Sequence, residues 1–203
     1  MDASGWDRAY SARKGVRSTE PRPAVVEHVS ALEPGRAIDL GAGEGRNAIW
    51  LAEGGWRVTA VDFSHVALEA ARRRAESGGI EMEYEVADVC EYVPEAQAFD
   101  LVLISYVHPE PPDRDAMLAA AASAVAPGGY LLVLGLGLSE DMGTGGPDPE
   151  RRYTPERIAG AFPGIHLDRC ERVTREIETD DGPREAADVL AWGWRPIRPE
   201  RTG

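Results

Sequence analysis

The chain has 203 residues, 43% of them hydrophobic, which is enough apolar material for one well-buried domain. Its formal net charge of -13 at pH 7 gives it no electrostatic attraction for polyphosphates, so we expect no nucleic acid among its partners. The polar first ten residues lack the apolar core of a signal peptide, and no stretch approaches the length of a membrane span. We therefore expect a cytoplasmic protein that does not bind membranes.

Strands and helices alternate along the first two thirds of the chain. Glycine pairs and a Pro-Gly-Gly turn indicate where the helices end. Helices are predicted over 23–32, 46–53, 65–77 and 113–126, and strands over 37–40, 56–62, 81–89, 99–107 and 130–136. The fourth strand is almost continuously apolar, which is typical of a central parallel strand covered on both faces. This order predicts an α/β fold with a doubly wound parallel sheet, whose ligand binds outside the carboxyl ends of the strands.

The last third of the chain departs from this alternation. The sequence Thr-Pro-Glu at 154–156 is an N-cap followed by proline, which predicts a short helix over 154–162. Two strands follow, over 166–178 and 186–197, and the residues between them, 179–183, are typical of a turn. We therefore expect the chain to end in an antiparallel hairpin added to the parallel sheet.

The first strand leads into three glycines at alternate positions, Gly41, Gly43 and Gly45, just before a helix. Such a loop leaves the backbone bare, so that a ligand can lie against the main chain. A dinucleotide fingerprint would need its third glycine at the position of Arg46, and the carboxylate of Asp39 would repel a pyrophosphate. The pattern instead favours a ligand that carries positive charge.

A second carboxylate supports a nucleoside ligand at this loop. The β-branched strand after the loop ends in Asp62, about 20 residues beyond the first glycine, where a carboxylate accepts hydrogen bonds from both ribose hydroxyls. Phe63, the residue after Asp62, would lie over the base of this nucleoside. Asp88 ends the third strand and either accepts from the adenine amino group, with Val89 beside the ring, or caps a turn.

The pattern Asp-x-Gly-x-Gly-x-Gly from Asp39 to Gly45 resembles motif I of class I S-adenosylmethionine (SAM)-dependent methyltransferases. Their cofactor is a sulfonium cation with an ammonium group, and their Rossmann-like seven-stranded sheet also ends in an antiparallel strand. The resemblance implies SAM as the cofactor. It places the cofactor-binding residues in the glycine loop and at the strand ends: Asp39, Gly41, Ala42, Gly43, Arg46, Asn47, Asp62, Phe63, Ser64, Ala87, Asp88, Val89 and Ser105.

Part of the sequence narrows the resemblance to the tellurite-resistance and thiopurine-type small-molecule methyltransferases. Their chains open with Trp-Asp-x-x-Tyr, which residues 6–10 match, and in that group the N-terminal segment folds over the occupied cofactor pocket. This implies an N-terminal lid segment, 1–22, before the SAM-dependent methyltransferase domain, 23–203. Trp6, Tyr10 and Arg13 are then lid residues that bind the cofactor; the alternative is a terminus without a role.

The candidate catalytic residues are Tyr106, at the end of the fourth strand, and His108, just past it. The resemblance places Tyr106 beside the reacting end of the cofactor, and His108 is the one histidine where an acceptor would lie. His108 would deprotonate or orient the acceptor; the alternative is a loop histidine bonded to the backbone. The Gly-rich segment 135–149 follows the fifth strand, and we expect it to shape the acceptor pocket with Arg151, Arg152 and Tyr153.

The leading hypothesis is transfer of a methyl group from SAM to a small-molecule acceptor by in-line displacement. The sulfonium already activates the methyl carbon, so a base is needed only when the acceptor must lose a proton. A non-catalytic SAM-binding sensor or accessory protein is the alternative, and an NAD-type oxidoreductase is disfavoured by Arg46 and Asp39. We expect a monomer or a homodimer. Cys90 and Cys170 show no metal-ligand spacing, and no metal is predicted.

Overall fold

The computed structural model describes residues 3–12, 19–138, 148–179 and 182–197 of the chain. The strands are β1 (Arg36–Leu40), β2 (Arg57–Asp62), β3 (Glu83–Val86), β4 (Phe99–Ser105), β5 (Val125–Leu136), β6 (His166–Thr179) and β7 (Gly182–Trp194). The helices are α1 (Ala3–Ser11), α2 (Pro23–Val29), α3 (Arg46–Glu53), α4 (His65–Ser77), α5 (Pro111–Ala124) and α6 (Pro155–Ile158), and a short 3-10 helix spans Pro149–Arg151. None of these helices has both the length and the apolar character needed to cross a membrane.

The strands form one sheet in the order β3-β2-β1-β4-β5-β7-β6. Strands β1 to β5 pair in parallel, whereas β7 lies between β5 and β6 and is antiparallel to both. This confirms the predicted doubly wound, Rossmann-like sheet with a terminal antiparallel hairpin.

Helices cover both faces of the sheet because its central strands are apolar on both sides. Along β4, Val102 and Ile104 pack on one face with residues of α5 and α6, while Leu101 and Leu103 pack on the other with residues of α2, α3 and α4. All four of these β4 side chains are fully buried. The near-continuous apolar run of β4 follows from this double coverage.

Several boundaries differ from the sequence prediction. Helix α6 is shorter than predicted and ends at Ile158, and β3 is restricted to Glu83–Val86. Strand β5 begins at Val125, so the Pro-Gly-Gly turn predicted to stop α5 lies inside the strand. The reason is tertiary: Val125 pairs with Phe99, and the N–H of Gly128, at φ 82°, donates to the carbonyl of Arg195. Strand β7 begins earlier than predicted, at Gly182; of the predicted turn, residues 180–181 lie outside the described residues.

The hairpin of β6 and β7 extends beyond the carboxyl edge of the parallel strands. Strand β5 ends at Leu136, which pairs with Asp188 of β7. The pairing of β6 with β7 continues past this point, from Val173 opposite Asp188 to Thr179 opposite Gly182. We call residues 174–179 and 182–187 the hairpin overhang. It continues the sheet on the side where a doubly wound fold binds its ligands.

Candidate functional site

The glycine loop between β1 and α3 has the backbone conformation that its sequence predicts. Gly41, Gly43 and Gly45 all have positive φ, at 80°, 56° and 76°. A Cβ at Gly45 would lie 2.8 Å from the Cβ of Ala71 on α4, so glycine at this position lets α3 and α4 approach each other. The N–H groups of Gly41 and Ala42 both donate to the carbonyl of Val61, at 2.8 and 3.0 Å, which ties the loop to the end of β2.

Asp62 ends β2 as a buried carboxylate held by two backbone donors. Its Oδ2 accepts the N–H of Gly43 at 2.8 Å, and its Oδ1 accepts the N–H of Ser64 at 2.9 Å. Burial raises the pKa of Asp62, and these two hydrogen bonds act in the opposite direction. Because each carboxylate oxygen can accept twice, both retain a lone pair for a ligand hydroxyl.

Asp39 is a second buried carboxylate at the same loop. Its side chain is 1% exposed, and neither oxygen has a hydrogen-bond partner of good geometry among the described residues. Burial and the neighbouring Asp62 raise the pKa of Asp39 to about 7, although the N–H of Ala48 and the charge of Arg46 oppose the shift. A buried carboxylate without a partner is costly, so this position suits a cationic ligand.

Helix α1 lies over the glycine loop. The hydroxyl oxygen of Tyr10 is 3.0 Å from the position that a Cβ on Gly43 would take, and the rings of Trp6 and Tyr10 are 5.7 Å apart. Asp7 accepts a hydrogen bond from the Ser64 hydroxyl at 2.5 Å. Of the predicted lid residues, Tyr10 thus lies against the loop and Trp6 lies beside Tyr10, while Arg13 lies outside the described residues.

Three predicted cofactor contacts have other partners in the structure. The buried Ser64 hydroxyl accepts the N–H of Ala67 as the N-cap of α4, so its side chain is not free for a ligand and only its N–H serves the site, by orienting Asp62. The Oδ1 of Asn47 accepts the N–H of Arg22 at 3.0 Å. The Oδ1 of Asp88 accepts the N–H of Cys90 at 2.9 Å, which is the turn-capping alternative.

The remaining predicted residues lie around the carboxyl ends of the strands. Phe63 follows β2 and is partly exposed, Ala87 and Val89 follow β3, and Ser105 is the last residue of β4. The N–H of Ala87 donates to the backbone carbonyl of Asp62 at 3.1 Å, which holds the β3 end beside the β2 end. Their contacts with a cofactor stay a prediction.

His108 has the contacts of a structural histidine. Its Nε2 accepts the backbone N–H of Leu136 at 2.8 Å, and burial lowers its pKa to about 4. The lone pair that a general base would use is therefore engaged, as in the backbone-bonded alternative, and a role of His108 in deprotonating or orienting the acceptor stays a prediction. The phenol of Tyr153 packs beside it, with ring centroids 5.4 Å apart, and donates to the carbonyl of Val107 at 2.6 Å.

Tyr106 is the centre of a polar cluster that the sequence did not predict. It has a φ of 60°, which is rare for a residue with a side chain and is often found at functional sites. Its hydroxyl donates to Oδ2 of Asp188 at 2.5 Å, and Nε of Arg175 donates to the same oxygen at 2.7 Å. The guanidinium of Arg22 lies 4.1 Å from the centre of the Tyr106 ring. The available signal was Asp188 itself, a carboxylate inside an apolar strand.

The segment expected to shape the acceptor pocket is only partly described, because residues 139–147 lie outside the described residues. Arg151 forms an ion pair with Glu110, so its charge is compensated. Arg152 and Tyr153 are buried rather than exposed to a pocket.

Comparison with known proteins agrees with this geometry. Residues 37–129 match the methyltransferase domain family. A ubiquinone biosynthesis O-methyltransferase from Xanthomonas axonopodis pv. citri is 33% identical over 135 residues, covering 64% of this chain and 56% of the relative. The match begins at β1 and includes the glycine loop and Asp62. This part of the chain is similar to a class I SAM-dependent methyltransferase domain.

Solved structures share the fold of this chain. A structure described for the conversion of a disulfide bond into a thioacetal group during echinomycin biosynthesis has a TM-score of 0.76 at 21% identity, covering 98% of this chain and 94% of that one. TehB from Haemophilus influenzae has a TM-score of 0.75 at 15% identity, covering 93% of this chain and 66% of that one. The chain spans about half the length of the curated relatives it matches.

The residues around the glycine loop fit SAM as a ligand. Asp62 offers lone pairs where ribose hydroxyls would donate, and the glycine loop lets a ligand approach the main chain. Asp39 supplies a buried negative charge that lacks a partner in the described part of the chain. A cationic cofactor satisfies this carboxylate, whereas a pyrophosphate does not.

Proposed function

We propose that this protein transfers the methyl group of SAM to a small-molecule acceptor by in-line displacement. The single observation that supports this most is that two buried carboxylates lie at the glycine loop. Asp62 has lone pairs available for a ligand, and Asp39 has no hydrogen-bond partner among the described residues. SAM, when bound, supplies a methyl carbon that its sulfonium already activates. The matching family and the O-methyltransferase relative support the same reaction.

The protein's own contribution is alignment of the acceptor and exclusion of water. We propose that residues 1–22 act as the lid and 23–203 as the transferase domain. The position of Tyr10 above Gly43 supports this division, because a phenol over the loop shields a ligand from solvent. Trp6 and Arg13 are included as lid residues that bind the cofactor, together with the glycine-loop and strand-end residues predicted from the sequence.

The proposed acceptor either needs no base or uses the Tyr106 cluster. His108 cannot accept a proton while its Nε2 is bonded to Leu136. A thiolate or another soft anion transfers without a base, whereas a hydroxyl acceptor, which the name of the ubiquinone relative suggests, must lose a proton. Tyr106 therefore remains our candidate for contact with the acceptor.

The remaining parts of the proposal concern partners and location. We propose a cytoplasmic enzyme that is a monomer or a homodimer and does not act on nucleic acid. The net charge of -13 supports the last point, because nucleic-acid binding depends on neutralising phosphates with basic side chains.

Two experiments test the proposed function. Isothermal titration with SAM, S-adenosylhomocysteine and NAD should show binding of the first two and none of NAD; binding of NAD alone would overturn the cofactor assignment. Incubation with methyl-tritiated SAM and a panel of thiols, phenols, amines and metabolite extracts should then yield a labelled product. Tight binding of SAM with no label transferred to any acceptor would support the non-catalytic alternative instead.

A further inference from the structure

The Tyr106 cluster places unbalanced positive charge at the carboxyl edge of an acidic protein. It consists of Tyr106, Arg22, Arg175 and Asp188, which come from the end of β4, the segment before α2, β6 and β7. Two guanidinium groups flank one phenol ring, at 4.1 Å for Arg22 and 5.6 Å for Arg175. Among the described residues one carboxylate, Asp188, takes part, so these four side chains carry a net positive charge.

Arg22 is an arginine of this edge that no carboxylate compensates in the described part of the chain. No carboxylate of the described residues forms an ion pair with its guanidinium, whose recorded contact is the face of Tyr106. Other arginines near this edge are neutralised: Arg151 pairs with Glu110, and Arg114 pairs with Asp115. A guanidinium stacked on a ring keeps its planar fork of donors available, and that fork matches a carboxylate.

Asp188 holds Tyr106 and Arg175 together, but one of its two carboxylate oxygens lacks a hydrogen-bond partner among the described residues. It is 2% exposed; its Oδ2 accepts from Tyr106 and Arg175, whereas its Oδ1 has no partner among the described residues. Buried polar atoms in native proteins almost always have a partner, so an unpaired Oδ1 indicates a missing donor. A ligand with an O–H or N–H group supplies such a donor.

Arg22 and Tyr106 adjoin the proposed cofactor residues, since the N–H of Arg22 donates to Asn47 and Tyr106 follows Ser105, whereas the other two members of the cluster lie farther along the sheet. The glycine loop, Asp39 and Asp62 belong to β1 and β2, whereas Asp188 and Arg175 belong to β7 and β6 on the other side of β4 in the sheet. Arg175 lies in the hairpin overhang, opposite Ala186, and so beyond the end of β5. The cluster thus extends from the proposed cofactor site toward the β7 and β6 side of the sheet.

We propose that Arg22 and Arg175 form a subsite for a carboxylate of the methyl acceptor, with Tyr106 and Asp188 as positioning residues. This inference rests on the proposed function and names the acceptor class: a small carboxylic acid that also carries a hydrogen-bond donor. The methionyl carboxylate of SAM has the same chemistry, so the test separates the two sources.

The test measures binding to the protein saturated with S-adenosylhomocysteine, by titration calorimetry. The probes are matched acid and amide pairs: 4-hydroxybenzoate with 4-hydroxybenzamide, lactate with lactamide, and 3-mercaptopropionate with its amide. At least one acid should bind about tenfold more tightly than its amide, and Arg22→Gln should remove that difference. Arg57→Gln, a change at an exposed arginine on the amino end of β2, is the matched control and should leave it intact.

Arg175→Lys is the second variant, because it retains the charge near Asp188 but loses the planar fork. It should weaken binding of the acid and leave binding of the amide unchanged, and its melting temperature shows whether the hairpin still folds. Equal affinity for acid and amide in all three pairs would overturn the inference. So would an Arg22→Gln protein that loses affinity for SAM itself while it still distinguishes acid from amide, since the subsite would then serve the cofactor. If the proposed function itself were wrong, the experiment would give a different result, because S-adenosylhomocysteine would not bind at all.

Discussion

We expect the Asp39 carboxylate to couple cofactor binding to pH. With a pKa of about 7 in the free protein, it is largely protonated at pH 6 and largely charged at pH 8. A cationic ligand favours the charged form, so binding should release a proton. We predict that affinity for SAM rises with pH, by up to about tenfold from pH 6 to pH 8. Calorimetry in buffers of different ionisation enthalpy measures the released proton. Asp39→Asn should bind SAM weakly and without this pH dependence; an unchanged pH profile in that variant would contradict the role of Asp39.

Asp62 is predicted to supply the largest polar contribution to cofactor affinity. Asp62→Ala removes an acceptor of two charge-assisted ribose hydrogen bonds and also releases the N–H groups of Gly43 and Ser64. The loss should be on the order of 2–4 kcal/mol in the free energy of SAM binding, measured by calorimetry. Glu85→Ala, at an exposed carboxylate on β3, is the control and should bind SAM normally. A normal dissociation constant for Asp62→Ala would exclude Asp62 from the ribose site.

At the scale of elements, the contact between α3 and α4 depends on the absence of a side chain at Gly45. Gly45→Ala forces a Cβ into a left-handed conformation and to within 2.8 Å of Ala71. The strain and the clash together should lower the free energy of unfolding by about 2–4 kcal/mol in urea titrations. Gly79→Ala is the matched control, because Gly79 has a φ of 69° but no atom within 4 Å, so only the backbone strain, about 1–2 kcal/mol, applies. Equal losses in the two variants would show that the helix contact tolerates the methyl group.

Helix α1 is the element that we expect to close the site. Deleting residues 1–13 removes no strand of the sheet, so the melting temperature should change little, while methyl transfer should fall by about a hundredfold or more as water reaches the site. Tyr10→Ala should reproduce most of the loss, and Arg8→Ala, at an exposed position of the same helix, should not. SAM should also protect the segment from protease. A truncated protein with full turnover would show that α1 has no part in the reaction.

At the scale of the whole molecule, two buried groups make stability depend on pH in opposite directions. The pKa of Asp39 rises from 3.8 to about 7 on folding, so between these values the folded state binds the extra proton and stability falls as pH rises. The pKa of His108 falls from 6.5 to about 4, so there the unfolded state binds the extra proton and stability falls as pH drops.

Two single variants should therefore separate these contributions. In the absence of SAM, Asp39→Asn should be more stable than the parent at pH 8. The gain should be about 4 kcal/mol, which corresponds to the rise in the pKa of Asp39 from 3.8 to about 7. His108→Gln, whose side-chain oxygen can still accept from Leu136, should lose less stability than the parent between pH 6.5 and pH 4. Urea unfolding at a series of pH values measures both effects, and parallel profiles for parent and variants would contradict them.

The sequence by itself determined the features that depend on short stretches of chain. The positive φ angles of Gly41, Gly43 and Gly45, the N-caps at Ser64 and Thr154, and the apolar run of β4 all follow from local sterics, local hydrogen bonds and periodicity. The sequence also predicts that Asp62 lies beside the glycine loop. A loop and one helix connect the end of β1 to β2, and the carboxyl ends of adjacent parallel strands lie at the same edge of the sheet. The doubly wound sheet and the terminal hairpin could therefore be predicted, while the cofactor contacts stay a prediction.

Only the tertiary structure decided which residues form the Tyr106 cluster, our proposed acceptor subsite. Arg22, Tyr106, Arg175 and Asp188 are far apart in the sequence and meet because β7 inserts between β5 and β6 and carries the hairpin past the carboxyl edge. The bond from the N–H of Leu136 to His108 depends on the same long-range packing. Local propensities do not encode such contacts, since they form only when distant strands pair in one register. The physical reason is that a side chain's partners are set by the sheet as a whole, whereas its backbone conformation is set by its immediate neighbours.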